Sequence, residues 1–235
     1  MGRAHEVRAK SMAATAAKRS ALFMRASKEI YMAAKSGVPD INANLALRSA
    51  VEKWKSQQVT KDVIERAIQK AKGGSGEHYE AGRYEFFGPG GSLFIVDTLT
   101  DNVNRALTDV RTVFTKRGGR MGAVSYNFTE QGVLVFKGTG KDKIEEALIL
   151  GDVDVREVSE DNGTIEVLVN PTYLNKAKEV LKANNITEFE ISSIQMIANE
   201  LIQVTDPEAK DKINQILDAL DEVSDVQEVY HNVEL

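Results

Sequence analysis

No cysteine occurs among the 235 residues. That excludes disulfides, thiolate nucleophiles and cysteine-ligated metals, and it fits a reducing cytosol. Histidine is nearly as scarce. His5, His78 and His231 are the only three, and no two of them stand at metal-ligand spacing. No run approaches the roughly 18 apolar residues that a membrane span needs. Arg3, Arg8 and Lys10 lie near the N-terminus, but no apolar segment follows them, so no secretory signal is expected. Catalytic signatures are missing as well. Ser11, Ser20 and Ser27 fall in helical stretches without a nucleophile elbow. The Gly88-Pro89-Gly90-Gly91 run lacks the Lys-Ser/Thr of a phosphate-binding loop and precedes a strand, so it reads as a hairpin turn. Asp152 and Asp154, with Glu157 and Asp161, have the makings of a cation site, but the more ordinary role is to solvate the outer face of a sheet. The reading is therefore a cytoplasmic chain with no membrane contact, no cofactor, no metal site and no catalytic residue.

Charge is where the sequence becomes informative. Residues 1–75 hold 15 Lys+Arg against 6 Asp+Glu, a net +9. Residues 76–235 hold 15 against 29, a net −14. Such asymmetry points to a basic module that meets a polyanion, joined to acidic modules that do not. The plain alternative is a lysine-rich helical bundle whose charges only keep it soluble.

The basic part reads as all helix. Alanines favour a helix over Val7 to Ala17. A second runs from Ser20 to Ser36, capped by Gly37 and stopped by Pro39. Asp40 opens a third segment, with Leu45, Leu47, Val51 and Trp54 as candidate core. Thr60 caps a fourth, whose apolar face is Val63, Ile64, Ala67, Ile68 and Ala71. Gly73, Gly74, Ser75 and Gly76 then form the clearest linker of the chain.

Beyond the linker the pattern is mixed. Tyr84 to Phe87 reads as a short strand. Leu93 to Thr98 is another, and a helix follows with Val103, Ala106, Leu107, Val110, Val113 and Phe114 on one face. Arg105, Asp109, Arg111, Lys116 and Arg117 occupy its other face. Gly118 and Gly119 end it, and a strand is expected around Val124 to Phe128. Over 133–205 the order is βαββαβ, the ferredoxin-like arrangement: strands at Val133–Phe136, Val153–Val158, Thr164–Val169 and Ile186–Ile194, with helices from Asp142 to Leu150 and from Pro171. The Asn162-Gly163 pair is a strong hairpin signal. One helix, Pro207–Leu220, and one strand, Val226–Val233, remain. They cannot make a core by themselves, so they are expected to return to the region begun at 77. The fold class is α+β: an N-terminal helical domain (1–75), a split α/β domain (76–132 and 206–235) and an inserted ferredoxin-like α/β domain (133–205), the split domain being read as ferredoxin-like too.

Two groups of basic residues are candidates for phosphate contacts. Arg3, Arg8, Lys10, Lys18, Arg19, Arg25 and Lys28 line the first two helices. Lys116, Arg117 and Arg120 form a glycine-rich corner, with Arg105 and Arg111 on the helix before it. There the amides of Gly118 and Gly119 can approach a phosphate closely. No zinc finger, RNA-recognition motif or basic zipper is present.

The stretches TDNVNR, VRTVFTKRGGRMGA and SYNF, within Leu93–Phe128, resemble the YebC/PmpR family and its YeeN-like branch, and the resemblance spans the chain from MGRAHEVRAK to VQEVYHNV. The family's small-residue turn is shortened here, since Gly122, Ala123, Val124 and Ser125 lead directly into Tyr126. The resemblance implies the three-domain plan and a non-enzymatic regulator. It implies either a transcriptional regulator on promoter DNA or a translation factor on the ribosome that relieves stalling at proline-rich stretches. The latter would dock on ribosomal RNA by shape and charge. An acidic protein-interaction scaffold is the reading from a different class.

Overall fold

The computed structural model describes residues 16–74 and 76–234. The helix expected at Val7–Ala17 falls almost wholly outside them. The first described element is α1, Ala16–Lys35, followed by α2, Leu45–Ser56, and α3, Lys61–Lys72. They enclose one core of Ala26, Ile30, Leu47, Val51, Trp54, Ile64, Ala67 and Ile68. The apolar residues of α1 and α3 recur at helical spacing, and that puts them inside. One expectation shifts. The segment after Pro39 does not open as a helix at Asp40. A turn holds residues 40–44, and Asn44 caps α2 by accepting from the Leu47 N–H at 3.0 Å. Asn44 also donates to the carbonyls of Ala33 (2.9 Å) and Val38 (3.0 Å), and so ties the end of α1 to the start of α2. Leu45, expected in the core, stands at the first helical position and is 57% exposed.

The next elements are β1 (Glu80–Phe87), β2 (Leu93–Thr100), α4 (Val103–Thr115) and β3 (Arg120–Met121). After a second region comes α7, Pro207–Asp221, and β8, Val226–His231. The sheet order is β3-β1-β2-β8, antiparallel throughout. The returning strand thus pairs with β2, Phe94 opposite His231. Phe86, Phe94, Val110, Phe114, Ile213, Ile216 and Leu220 form the core beneath it. Phe86 and Phe114 stack at 4.0 Å between centroids, and Phe94 meets Phe114 edge-on at 5.2 Å. The element order here is ββαβ and then αβ. The ferredoxin-like order expected of this split region is not what the chain follows. β1 also starts four residues before Tyr84, because Glu80–Arg83 pair in register with Asp97–Thr100.

The second region comprises β4 (Phe128–Lys137), α5 (Lys141–Leu150), β5 (Val155–Asp161), β6 (Thr164–Val169), α6 (Leu174–Ala183) and β7 (Ile191–Ala198). This is the βαββαβ order, with strands arranged β5-β6-β4-β7 and all pairs antiparallel. Leu134, Phe136, Leu148, Ile165, Val167, Ala177 and Leu181 pack between the sheet and its helices. The β5–β6 turn carries Asn162 at φ 49° and Gly163 at φ 75°. Positive φ at both central residues is what a type I′ turn demands. The expected strand Ile186–Ile194 lies about five residues too early. Ile186 and Phe189 pack half-buried from a loop, after Asn185 turns left-handed at φ 66° and the Ile186 N–H closes back on the Leu181 carbonyl.

Two compact units result. One is Phe128–Asn199. The other holds the described residues up to Asn127 together with Glu200–Glu234, so the helical region and the first sheet belong to one body.

Candidate nucleic-acid interface

The cationic candidates separate into two environments. Arg3, Arg8 and Lys10 lie outside the described residues. On α1, Arg25 and Lys28 point inward, and each is only 8% exposed. Arg25 Nη2 donates to the carbonyls of Leu220 (2.8 Å), Asp221 (2.8 Å) and Val223 (3.2 Å). These carbonyls lie at the C-terminal end of α7, where a cation suits the helix dipole. Lys28 Nζ donates to the carbonyls of Leu99 and Ser224, at 3.3 and 3.2 Å, and to the carboxylate of Asp225. Asp225 is itself 2% exposed. Arg105 reaches the same carboxylate, Nη2 to Oδ2 at 2.8 Å, and also holds Asp101 at 2.6 Å. Burial by itself would raise the Asp225 pKa, but hydrogen bonds from Lys28 and Arg105 hold it below the usual carboxylate range. Lys18 pairs with Asp218 at 2.5 Å and Asp221 at 3.8 Å. Burial pushes Asp221 up against the opposing pull of Arg25 and Lys18. Lys53, which sequence reasoning did not single out, bridges Glu29 at 2.8 Å and Glu228 at 3.0 Å. Arg19 stays exposed, its guanidinium 5.5 Å from the Phe23 ring centre.

So four nominated residues, Lys18, Arg25, Lys28 and Arg105, meet the acidic C-terminal segment of their own chain. Each is paired with carboxylates or with helix-end carbonyls. The signal that could have found this was the run Asp218, Asp221, Asp225, Glu228, a set of anions near the end of the chain that matches the basic face of α1.

The corner after α4 is different. Asn102 caps the helix by accepting from the Arg105 N–H at 3.0 Å. At the other end the Gly119 N–H bonds the Phe114 carbonyl at 2.9 Å and the Gly118 N–H bonds Thr115 at 3.4 Å, with Gly118 at φ 81°. That pair of bonds around a left-handed residue is the Schellman end, and it favours glycine. The chain then makes the two-residue β3 and turns. The strand expected at Val124–Phe128 is not formed there. Val124 is buried in a loop, Ser125–Asn127 is a 3-10 turn, and the following strand begins at Phe128 in the other sheet. The cause is Glu85, whose Oε2 accepts from the N–H of Val124 (2.6 Å) and of Ser125 (2.8 Å) and so uses donors that a strand would need. Burial alone would lift the Glu85 pKa, yet those two N–H groups hold it low. Gly122 lies flat on Phe87, and a Cβ there would stand 2.4 Å from the ring.

Arg111 on α4, and Lys116 and Arg120 after it, are each exposed. Arg120 lays its guanidinium over Phe87 at 4.4 Å. Arg117 is half-buried and donates to the Val113 carbonyl at 3.1 Å, which anchors it along the helix. Lys116, Arg117 and Arg120 thus follow one another around the end of α4, Arg111 stands on the helix one turn before, and Arg105 is taken away to Asp225. Phe87, Glu85 and Tyr126 build this corner, and none was nominated from sequence. Nothing in the local pattern marks them, because β3 is too short to predict.

Elsewhere, the acidic residues at 152–161 do not converge. Asp154 accepts from Arg156 (3.1 Å) and Asn170 (3.2 Å). Among the described residues no helix is long and apolar enough to cross a membrane.

Comparison with known proteins agrees with this architecture. A family profile described as the TACO1/YebC protein N-terminal domain matches residues 3–74, and one described as the TACO1/YebC second and third domain matches residues 79–233. A probable transcriptional regulatory protein of Mesoplasma florum, Mfl546, is 48% identical over 234 residues, 99% of each chain. The probable transcriptional regulatory protein YeeN of Escherichia coli is 48% identical over 217 residues, 91% of each. The crystal structure of a conserved hypothetical protein from Aquifex aeolicus, Aq1575, superposes with a TM-score of 0.80 at 33% identity, covering 96% of each chain. The first two relatives are named as regulatory proteins and not as enzymes. With both profiles together spanning nearly the whole sequence, the chain belongs to the TACO1/YebC family.

Proposed function

We propose that this protein is a nucleic-acid-binding regulator that acts in transcription by binding DNA, with the corner after α4 as its described contact site. The observation that carries the proposal is the contrast in charge use. Lys18, Arg25, Lys28 and Arg105 are committed to acidic partners within the chain. Arg111, Lys116 and Arg120 are exposed on and just after the last turns of α4, whereas the Gly118 and Gly119 amides, expected to approach a phosphate, are used up in closing the helix end. Exposed cations on a rigid corner release counterions when they meet phosphates, and that supplies most of the nonspecific affinity. The names of the Mesoplasma florum and Escherichia coli relatives support a transcriptional role. Arg19, and Arg3, Arg8 and Lys10 before it, belong to the same proposal as a second positive surface. The site needs no cofactor, and the protein works in the cytoplasm. We take the domain plan as a basic helical module, a split α/β domain, and an inserted ferredoxin-like domain, supported by the strand order β5-β6-β4-β7 of Phe128–Asn199.

The test is a salt titration of duplex DNA binding by the intact protein and by an Arg111→Glu, Lys116→Glu variant. Each lost phosphate contact flattens the log–log salt slope by about 0.9. The variant is expected to melt near the parent, bind more weakly and show a slope shallower by about two contacts. An unchanged slope would remove the corner from the interface.

A further inference from the structure

The helical region meets the first sheet and α7 through charge. Lys18, Ala21, Arg25 and Lys28 recur at spacings of three, four and three, so they share one stripe of α1. Cations hold three of the four places where an apolar seam would run. A neighbouring stripe, with Leu22, Ala26 and Ile30, goes into the helical core instead. Opposite the cations stand Asp218, Asp221, Asp225 and Glu228, spaced three, four and three from the last turns of α7 into β8. Lys18 pairs with Asp218 and Asp221, Arg25 comes within 3.8 Å of the Asp221 carboxylate, Lys28 holds Asp225, and Lys53 from α2 holds Glu228. Among the described residues no apolar cluster spans this seam. The buried cluster of the helical region draws on residues 26–68, that of the sheet and α7 on residues 86–233, and the half-buried residues packed on each divide the same way. The polar fit is incomplete, since the buried Arg25 Nε has no hydrogen-bond partner among the described residues. The covalent link to the sheet is the segment 73–79. In it Glu77 stays on the helical side, its carbonyl accepting from Tyr31 at 3.1 Å and its carboxylate pairing with Lys70 at 2.5 Å.

We propose that this seam is a latch over a second polyanion site: nucleic-acid phosphates displace the acidic segment Asp218–Glu228 from Lys18, Arg25, Lys28 and Lys53, and the helical region undocks to receive them. The inference rests on the nucleic-acid reading above and adds its regulation. Charges moved from water into a buried pair gain little net free energy, because desolvation cancels most of their attraction. Undocking differs from deleting one partner, since both sides regain water together and neither apolar core opens. The four carboxylates carry the sign of a phosphate backbone and occupy the cations that neutralise one. Only the undocked form offers those cations, so a polyanion draws the equilibrium toward it. The latch gives the net +9 of residues 1–75 a use that the closed form withholds.

The experiment uses the full chain. It has no native cysteine, so Lys61→Cys on α3 and Asn214→Cys on α7, both exposed, take a unique pair of spin labels. Pulsed dipolar EPR is expected to give one distance for the free protein and a second, longer one when duplex DNA or heparin is added. In anisotropy titrations with the same duplex, Asp218→Asn, Asp221→Asn, Glu228→Gln should bind about tenfold tighter than a control that loses equal charge elsewhere, Asp142→Asn, Glu145→Gln, Glu146→Gln. The control removes the gain that follows from net charge alone. An unchanged distance with both polyanions, or a triple variant no tighter than the control, would overturn the latch. Should the triple variant melt without cooperativity, the distance measurement decides, because it keeps every side chain of the seam. If Arg111→Glu, Lys116→Glu flattens the salt slope while the distance stays fixed, the DNA reading stands and the latch alone fails. If heparin lengthens the distance and the duplex does not bind, the latch stands and the DNA reading fails.

Discussion

Lys28 and Asp225 show how much can hang on one pair of side chains. A carboxylate that is 2% exposed stays charged because Lys28 and Arg105 both donate to it. Removing Lys28 leaves the buried charge with Arg105 as its remaining cation, at a cost of at most about 3–5 kcal/mol. Lys28→Met is thus expected to lower the urea midpoint sharply, while the double variant Lys28→Met, Asp225→Leu should recover much of the loss. A double variant as unstable as the single would show that the interaction is not electrostatic. His231 is a second test at this scale. It is buried beside Phe94, its Nδ1 accepts from the Val233 N–H at 3.2 Å, and its Nε2 has no partner among the described residues. Burial pushes its pKa down to about 4. The unfolded chain, with an ordinary histidine near 6.5, binds the proton first. Stability is therefore fully present above pH about 6.5 and falls as pH drops toward 4, by about 3 kcal/mol in all. His231→Phe should lack this part of the slope when both proteins are unfolded across that range. An identical slope in the two proteins would assign the loss to carboxylates instead. Neither residue could be read from sequence, since His231 and Lys28 look like ordinary polar positions until their neighbours are known.

At the scale of elements, the periodic segments were legible and the short ones were not. α1, α3, α4 and α7 announce themselves by apolar residues at helical spacing, and Asn162-Gly163 announces its hairpin, because those signals are local. The left-handed end of α4 was legible too. Gly118 stands at φ 81° with open space where a methyl group would go, so Gly118→Ala carries a conformational cost and no clash. The expected loss is about 1–2 kcal/mol, read from thermal melts, whereas Phe114→Ala should lose about 3–5 kcal/mol by opening a cavity beside Phe86 and Phe94. Equal losses would mean that the turn is set by packing and not by glycine. The two-residue β3 and the loop to Asn127 escaped sequence reading because a carboxylate 39 residues upstream decides their path. The same holds for the loop that delays β7. Its residues are apolar enough for a strand, but the left-handed Asn185 and the closure on Leu181 use their backbone groups first.

For the molecule as a whole, the cores respect the two units. The core of Phe86, Phe94, Phe114 and Ile213 draws only on residues before 127 and after 200, and the core of Leu134, Phe136, Ile165 and Leu181 only on residues between 128 and 199. Replacing Phe128–Asn199 by a short Gly/Ser bridge is therefore expected to leave a remainder that still unfolds in one cooperative step. A remainder with no cooperative transition would show that the second unit is needed to fold the first. The charge asymmetry has its explanation at this scale also. Part of the net +9 of residues 1–75 meets part of the net −14 of the remainder inside one body, through Lys18, Arg25, Lys28 and Lys53 on one side and Asp218, Asp221, Asp225 and Glu228 on the other.

By itself the sequence determined the helical character of the N-terminal region, the βαββαβ run of the second unit, the return of the last helix and strand to the first sheet, and the family. Each of these follows from periodicity, turn chemistry or motif, which act over a few neighbouring residues. The tertiary structure alone decided which cations face water. A lysine or arginine has the same charge wherever it stands, and only the approach of α7 and β8 to α1 turns Arg25 and Lys28 inward while Arg111, Lys116 and Arg120 stay exposed. Helix-end carbonyls and a buried carboxylate bind a cation more strongly than water-screened phosphates do only when the fold has desolvated them, and no local pattern of residues encodes that desolvation.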